Sequence, residues 1–233
     1  MATAITFEEQ ITVPMDLRSL ADFRCWAMSD QFPERGRIDY IAGTIEVHMS
    51  PEGLMRHGRL KGKIYATLLD LVDRQDLGYL WVDRARVCSA EAGLSAEPDA
   101  VFVSHESLSE GRVRMVPKSG GDPEEFIELD GAPDLIVEIV SDSSVTKDTK
   151  RLPAAYFRAG VPEFWLADAR REPFVFQIHR RGESGFEAVE ADADGFQPSA
   201  VFGCRFRLQW RRDRSGHWAF DLEQSRMEGP QTE

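Results

Sequence analysis

Apolar residues crowd most densely at Leu135, Ile136, Val137, Ile139 and Val140, inside the stretch PDLIVEIVSDSS. A short run this rich in β-branched side chains predicts a strand buried on both faces. Glu138 interrupts it, and a carboxylate among buried aliphatics is costly unless a cation or a lysine compensates it. Upstream, His57, Leu60, Ile64, Leu68 and Leu71 recur at helical spacing and predict a helix from Pro51 to about Asp73 with one inward stripe. Ser50 suits its cap and Pro51 its first turn. The same helix carries Arg56, Arg59, Lys61 and Lys63. That cluster reads either as a solvated face or as a nucleic-acid contact. His57 shares the inward stripe, either as a core-edge histidine bonded to backbone or as a functional group.

The remaining pattern is a succession of short strands. Met1 to about Asp22 reads as a lead-in, with a short helix near Leu17 to Met28. Arg37 to His48 reads as a hairpin turning at Ala42-Gly43-Thr44. Strand-like runs follow at Gly78–Val82, Ala85–Cys88 and Ala100–Val103. Ser104 to Asp130 is polar and glycine-containing, and is expected to be a loop insertion with a short helix at most. A basic helix is expected over Asp148–Ala159, ended by Gly160, with Pro153 delaying or kinking its start. Glu163–Ala167 and Phe174–His179 alternate as two strands around a turn at Asp168–Glu172. Phe186–Val189 and Val201–Leu208 are expected to complete the sheet. A polar tail over 223–233 leaves a single domain over 1–222.

Composition narrows the class. Hydrophobic residues at 42% and charged residues at 29% suit a globular domain with an ample core. No run approaches the roughly eighteen apolar residues of a membrane span. The opening MATAITFEEQ lacks the basic and apolar regions of a secretory signal. The three cysteines, Cys25, Cys88 and Cys204, are far apart and suit a reducing cytoplasm. A net charge of −12 argues against a protein that coats nucleic acid non-specifically, though not against a local basic groove.

Two Pro-Asp steps each lead into a strand: Pro98-Asp99 before AVFV and Pro133-Asp134 before LIVEIVS. Pro-Asp is also ordinary turn chemistry, and Asp134 reads best that way. If the two strands are neighbours, Asp99 and Glu138 converge on one ion. A Mg²⁺ or Mn²⁺ held by these carboxylates and the carbonyl of Ile139 would keep several waters and could activate one of them. A nearby lysine would orient that water or stabilise charge developing on a phosphate. The rival for Glu138 is a structural pair with a buried arginine.

The pattern PDLIVEIVSDSS followed by KDTKRLPAAYFRAGVPEFWLADAR resembles the Uma-two family of restriction-endonuclease-like proteins, within the PD-(D/E)xK nuclease superfamily. The residues that carry the likeness are Asp148, Tyr156, Ala159-Gly160-Val161, Phe164-Trp165 and Asp168. Upstream they are Pro98-Asp99, Ser50-Pro51 with His57, and Ile41-Ala42-Gly43. The likeness is best over residues 37–168. It implies an α/β, restriction-endonuclease-like fold: a mixed β-sheet flanked by helices, with Asp99 and Glu138 as the acidic pair. The superfamily's lysine lies two residues after the second carboxylate, where this chain has Val140. In the family it comes from the following segment, four residues after the aspartate matching Asp148, where this chain has Leu152. Lys147 and Lys150 are the substitutes. The leading expectation is therefore a Mg²⁺-dependent DNA endonuclease in the cytoplasm. Asp99, Glu138 and the Ile139 carbonyl would hold metal, Lys147 or Lys150 would support the attacking water, and His57 with Arg56, Arg59 and Lys63 would meet nucleic acid. A homodimer is possible. The alternative is a catalytically idle domain of the same fold that binds nucleic acid or a protein partner. A small-molecule hydrolase using the same carboxylates has no positive support.

Overall fold

A computed structural model describes residues 13–34, 36–50 and 52–227. In chain order, α1 (Leu20–Ala27) precedes the hairpin of β1 (Arg37–Ile41) and β2 (Thr44–His48), and a π-helical turn at Leu54–Gly58 runs into α2 (Arg59–Gln75). Then come β3 (Gly78–Val82), β4 (Arg86–Ser89), β5 (Leu94–Ala96), β6 (Ala100–Ser104), α3 (His105–Ser109), β7 (Val113–Pro117), β8 (Phe126–Gly131) and β9 (Leu135–Ile139). A second π-helical turn, Lys147–Arg151, leads into α4 (Leu152–Ala159). The chain closes with β10 (Glu163–Asp168), β11 (Val175–Arg181), β12 (Phe186–Ala188), β13 (Gln197–Ser199), β14 (Cys204–Arg212) and β15 (Trp218–Arg226).

The fold is mixed α/β, with three sheets among the described residues. The central one has the order β12-β11-β10-β9-β6-β3, the second β2-β1-β5-β4-β8-β7, and the third β13-β14-β15. As its apolar run predicts, β9 is buried along its whole length. Its odd residues Leu135, Val137 and Ile139 pack with the α2 stripe of Leu60, Ile64, Leu68 and Leu71 and with Phe206, Leu208 and Leu222 of the third sheet. Ile136 faces the other way, toward Leu152, Ala155 and Tyr156 of α4 and Val87, Leu94 and Leu129 of the second sheet. Glu138 shares the parity of Ile136, so its carboxylate points into that second core. Gly160 ends α4 at φ +94°, the left-handed cap its position predicts.

Four expectations need correction. Ser104–Asp130 is not a loop insertion: it contains α3, β7 and β8, because Val113 and Leu129 are buried in the second core. The irregular parts are a three-residue turn at Glu110–Arg112 and the glycine-bearing tract between β7 and β8. Val201–Leu208 does not complete the central sheet. β14 pairs with β13 and β15 instead, and their apolar face covers α2. The polar tail starts later than Glu223, since β15 runs to Arg226, with Leu222 buried and Glu223 paired to Arg207. The helix expected from Pro51 becomes regular only at Arg59; Pro51 itself and the first twelve residues lie outside the described ones.

Candidate active site

Register brings the two carboxylates together. β6 and β9 are antiparallel neighbours with Ala100 opposite Val137 and Phe102 opposite Leu135. One step further along that register, Asp99 faces Glu138 on the same side of the sheet. Asp99 Oδ2 accepts from the Ile139 N–H at 2.7 Å, which ties the end of one strand to the other. The second Pro-Asp step does different work. Asp134 accepts from the Ser104 N–H at 2.7 Å and from the Ser107 hydroxyl, so it braces the start of α3.

Cations surround Asp99. Arg37 Nη2 lies 3.1 Å and Lys61 Nζ 3.2 Å from Asp99 Oδ1. Lys61 also reaches Asp83 at 2.7 Å and Glu52 at 2.9 Å. Burial alone would lift the Asp99 carboxyl, but Arg37, Lys61 and the Ile139 N–H outweigh it and hold it below the ordinary range. Glu138 goes the other way. It is fully buried, and burial, Asp148 and Asp99 push its carboxyl well above the ordinary value. The Tyr156 hydroxyl donates to Glu138 Oε1 at 2.5 Å, whereas Oε2 has no hydrogen-bond partner. Among the described residues no arginine bonds Glu138.

The helix that follows β9 begins with a π-helical stretch, a departure often found at functional sites. Its wide turn buries both Lys147 and Asp148 and leaves Lys150 exposed. Lys147 Nζ donates to Asp39 Oδ2 at 2.9 Å, and Asp39 Oδ1 accepts from the Glu97 N–H at 2.9 Å. Burial would lower the lysine, but Asp39 and Glu138 outweigh it and keep the ammonium charged. Burial lifts Asp148 to about 6, against the Ser144 hydroxyl that donates to its Oδ2; Oδ1 has no partner.

These groups line or underlie a cleft of about 340 Å³ whose wall includes Arg37, His57, Asp99, Ile139, Ser144 and Lys147. His57 lies on its π-helical turn and bonds the Ile139 carbonyl through Nε2 at 2.8 Å, with Nδ1 3.4 Å from Glu52. Arg56 donates to the carbonyl of Arg170, Arg59 pairs with Asp213 at 2.7 Å and Lys63 with Asp221 at 2.9 Å. Arg59 and Lys63 thus lean on the third sheet. Among the described residues no three His, Cys, Asp or Glu side chains are grouped to hold a metal ion. The oxygens that could serve a small hard cation are those of Asp99 and Glu138 with the Ile139 carbonyl.

The model of the Uma2 family, described as "Putative restriction endonuclease", matches residues 20–211. The chain belongs to the Uma2 family. The match spans every cleft residue named above and stops within β14. Among solved structures, the fold resembles one titled a putative nuclease belonging to DUF820 from Anabaena variabilis, with a TM-score of 0.54 and 19% identity. The likeness covers 79% of this chain and 90% of the other. No curated protein matches the chain. No helix among the described residues is long and apolar enough to cross a membrane.

Sequence reasoning missed Arg37, Asp39 and the burial of Lys61. Asp39 carried a usable signal: like Glu138, it is a carboxylate flanked by apolar residues within a strand, in Ile38-Asp39-Tyr40-Ile41. Lys61 stands four residues after His57, one helical turn along the inward stripe.

Proposed function

We propose that this chain is a metal-dependent endonuclease that hydrolyses DNA phosphodiester bonds in the Asp99–Glu138 cleft. The observation that carries the reading is the opposition of Asp99 and Glu138 across β6 and β9, with Lys147 in the same cleft. Membership of a family described as restriction endonucleases supports it. The three protein oxygens are hard donors, and the orphaned Oε2 of Glu138 is a buried, unpartnered oxygen that a divalent cation would satisfy as its proton leaves. Asp99, Glu138 and the Ile139 carbonyl would hold Mg²⁺ or Mn²⁺, in place of the Arg37, Lys61 and His57 contacts they now make. Such an ion supplies an activated water and a polarised phosphoryl oxygen.

The chain's own residues do the rest. Lys147, fixed by Asp39, directs its ammonium at the attacking water or the developing phosphate charge and replaces the lysine that Val140 does not provide. Tyr156 fixes the rotamer of Glu138. Arg37 and Lys61, released from Asp99, face the scissile phosphate. The described cysteines are all free, in keeping with action in the reducing cytoplasm.

The test is plasmid cleavage with Mg²⁺, Mn²⁺ or EDTA by the wild type, Asp99→Asn and Glu138→Gln. Cleavage should need the metal and fall by at least about 100-fold in each variant. Wild-type protein that leaves DNA intact with either ion, or variants that cut as well as wild type, would overturn the reading. One observation favours the idle-domain alternative: Asp99 is already neutralised by Arg37 and Lys61. That alternative predicts a melting temperature indifferent to Mg²⁺.

A further inference from the structure

The third sheet carries a feature that the cleft chemistry does not use. The tip of its long hairpin reads Trp210-Arg-Arg-Asp-Arg-Ser-Gly-His-Trp218, in a chain of net charge −12. Its single acid, Asp213, is already engaged: it pairs with Arg59 at 2.7 Å and accepts from the N–H groups of Ser215 and His217. Arg212 lies 3.6 Å from the Trp218 ring centroid and donates to the Gly216 carbonyl at 3.0 Å, which stiffens the tip. Arg211 and Arg214 are exposed and pair with no acid among the described residues.

The tip stands at the cleft end of the molecule. Arg59, which holds Asp213, begins α2 two residues after His57, which holds the Ile139 carbonyl. Arg212 also reaches Glu172, at 3.7 Å, in the turn between β10 and β11. That turn carries Arg171, exposed and likewise without an acidic partner among the described residues, and Arg170, whose carbonyl takes the Arg56 guanidinium. A hollow of about 440 Å³ lined by Arg56, His57 and Arg170 shares His57, Ser50, Ser141 and Ser143 with the cleft, so the cleft leads to the β10–β11 turn, which Arg212 of the tip reaches through Glu172. The exposed acids along this route, Glu52, Asp83, Asp142 and Glu172, each lie within 4 Å of a cation: Lys61 at 2.9 and 2.7 Å, Arg170 at 3.9 Å and Arg212 at 3.7 Å.

We infer that the β14–β15 tip and the β10–β11 turn form the seat for the DNA duplex beside the cleft, with Arg171, Arg211 and Arg214 on its phosphates. This rests on the nuclease reading for what the cleft does. The charge argument is its own: unpaired guanidiniums on a rigid loop, in an acidic protein, complement a polyanionic backbone. The family match ends at residue 211, so most of this tip lies beyond it.

The experiment is fluorescence anisotropy with a labelled duplex of about 30 bp in EDTA, between about 50 and 200 mM salt. The triple variant Arg171→Ala/Arg211→Ala/Arg214→Ala should bind at least about tenfold more weakly. Its log–log salt slope should be shallower by about 2–3, near 0.9 for each lost contact. The corresponding triple Lys variant should recover most of the binding. Arg74→Ala/Arg114→Ala/Arg226→Ala, which removes the same charge elsewhere, should bind as wild type. The inference falls if wild type does not bind duplex, if the tip variant keeps its slope, or if the control loses as much. It also falls if polyglutamate competes as well as DNA, which would make the tip a site for acidic protein surfaces. Binding through the tip without metal-dependent cleavage would overturn the nuclease reading alone; cleavage with unchanged binding by the tip variant would overturn this inference alone.

Discussion

Glu138→Gln separates a metal ligand from a structural acid by its effect on stability. In the fold Glu138 is fully buried, with the Tyr156 hydroxyl on Oε1 and nothing on Oε2. Burial, Asp148 and Asp99 raise its carboxyl well above its ordinary 4.5. The native state therefore keeps a proton that the unfolded chain has already lost. Stability from this group is fully present below 4.5 and is lost as pH rises toward the native value, at about 1.4 kcal/mol per pH unit. Glu138→Gln keeps the acceptor for Tyr156 and cannot ionise, so the variant lacks that loss. The new amide nitrogen, where Oε2 stood, is unpartnered at a cost of about 1–3 kcal/mol at every pH. In EDTA the variant should trail wild type near pH 5 and gain on it by about 1.4 kcal/mol for each pH unit between the two values. For a chain of this size that is about 3–6 °C in melting temperature per unit. Mg²⁺ at about 100 times its Kd should stabilise wild type by about 2.7 kcal/mol and leave the variant unmoved. The assay is a melt series in pH, with EDTA or Mg²⁺. A variant that melts far below wild type at all pH values, with parallel curves and no Mg²⁺ response in wild type, would refute the reasoning.

The two lysines should part company. Lys147→Met strands the buried Asp39 carboxylate and should cost about 3–5 kcal/mol in a urea titration as well as abolishing cleavage, and adding Asp39→Asn should return part of the stability but none of the activity. Lys150→Met, on an exposed side chain, should stay within about 0.5 kcal/mol of wild type and cut normally. Gly78→Ala should destabilise by more than about 1 kcal/mol, because Gly78 sits at φ +150° and a Cβ there would strike the Val103 carbonyl across the β3–β6 pair; a variant melting with wild type would contradict the geometry.

The sequence carried the central strands and α2 because their burial is written in local period. β9 is an apolar run broken only by Glu138, and α2 repeats its stripe over several turns. Asp99 and Glu138 were legible as partners because each is placed by its own strand, so adjacency of the strands was the only unknown. The partition of strands among sheets was not legible. A period of two tells which side of a strand is apolar, not which neighbour it takes, so β14 looked like an extension of the central sheet. Asp39 was missed because its partner is 108 residues away, on a turn whose wide winding no spacing rule anticipates. That winding also decides between Lys147 and Lys150, which a regular helix would have set on nearly one face.

Because the Lys147–Asp39 bond ties the segment between β9 and β10 of the central sheet to a hairpin of the second sheet, the cleft has a birth order on the ribosome. Asp39 emerges first, Asp99 about 60 residues later, and Lys147 and Tyr156 more than 100 residues after Asp39. The β10 strand that flanks β9 comes later still. Contacts of such long sequence span close slowly and last. A nascent chain carries the separate carboxylates for much of its synthesis but cannot hold them in working order until both sheets have docked, so its reactive groups mature only with the finished fold.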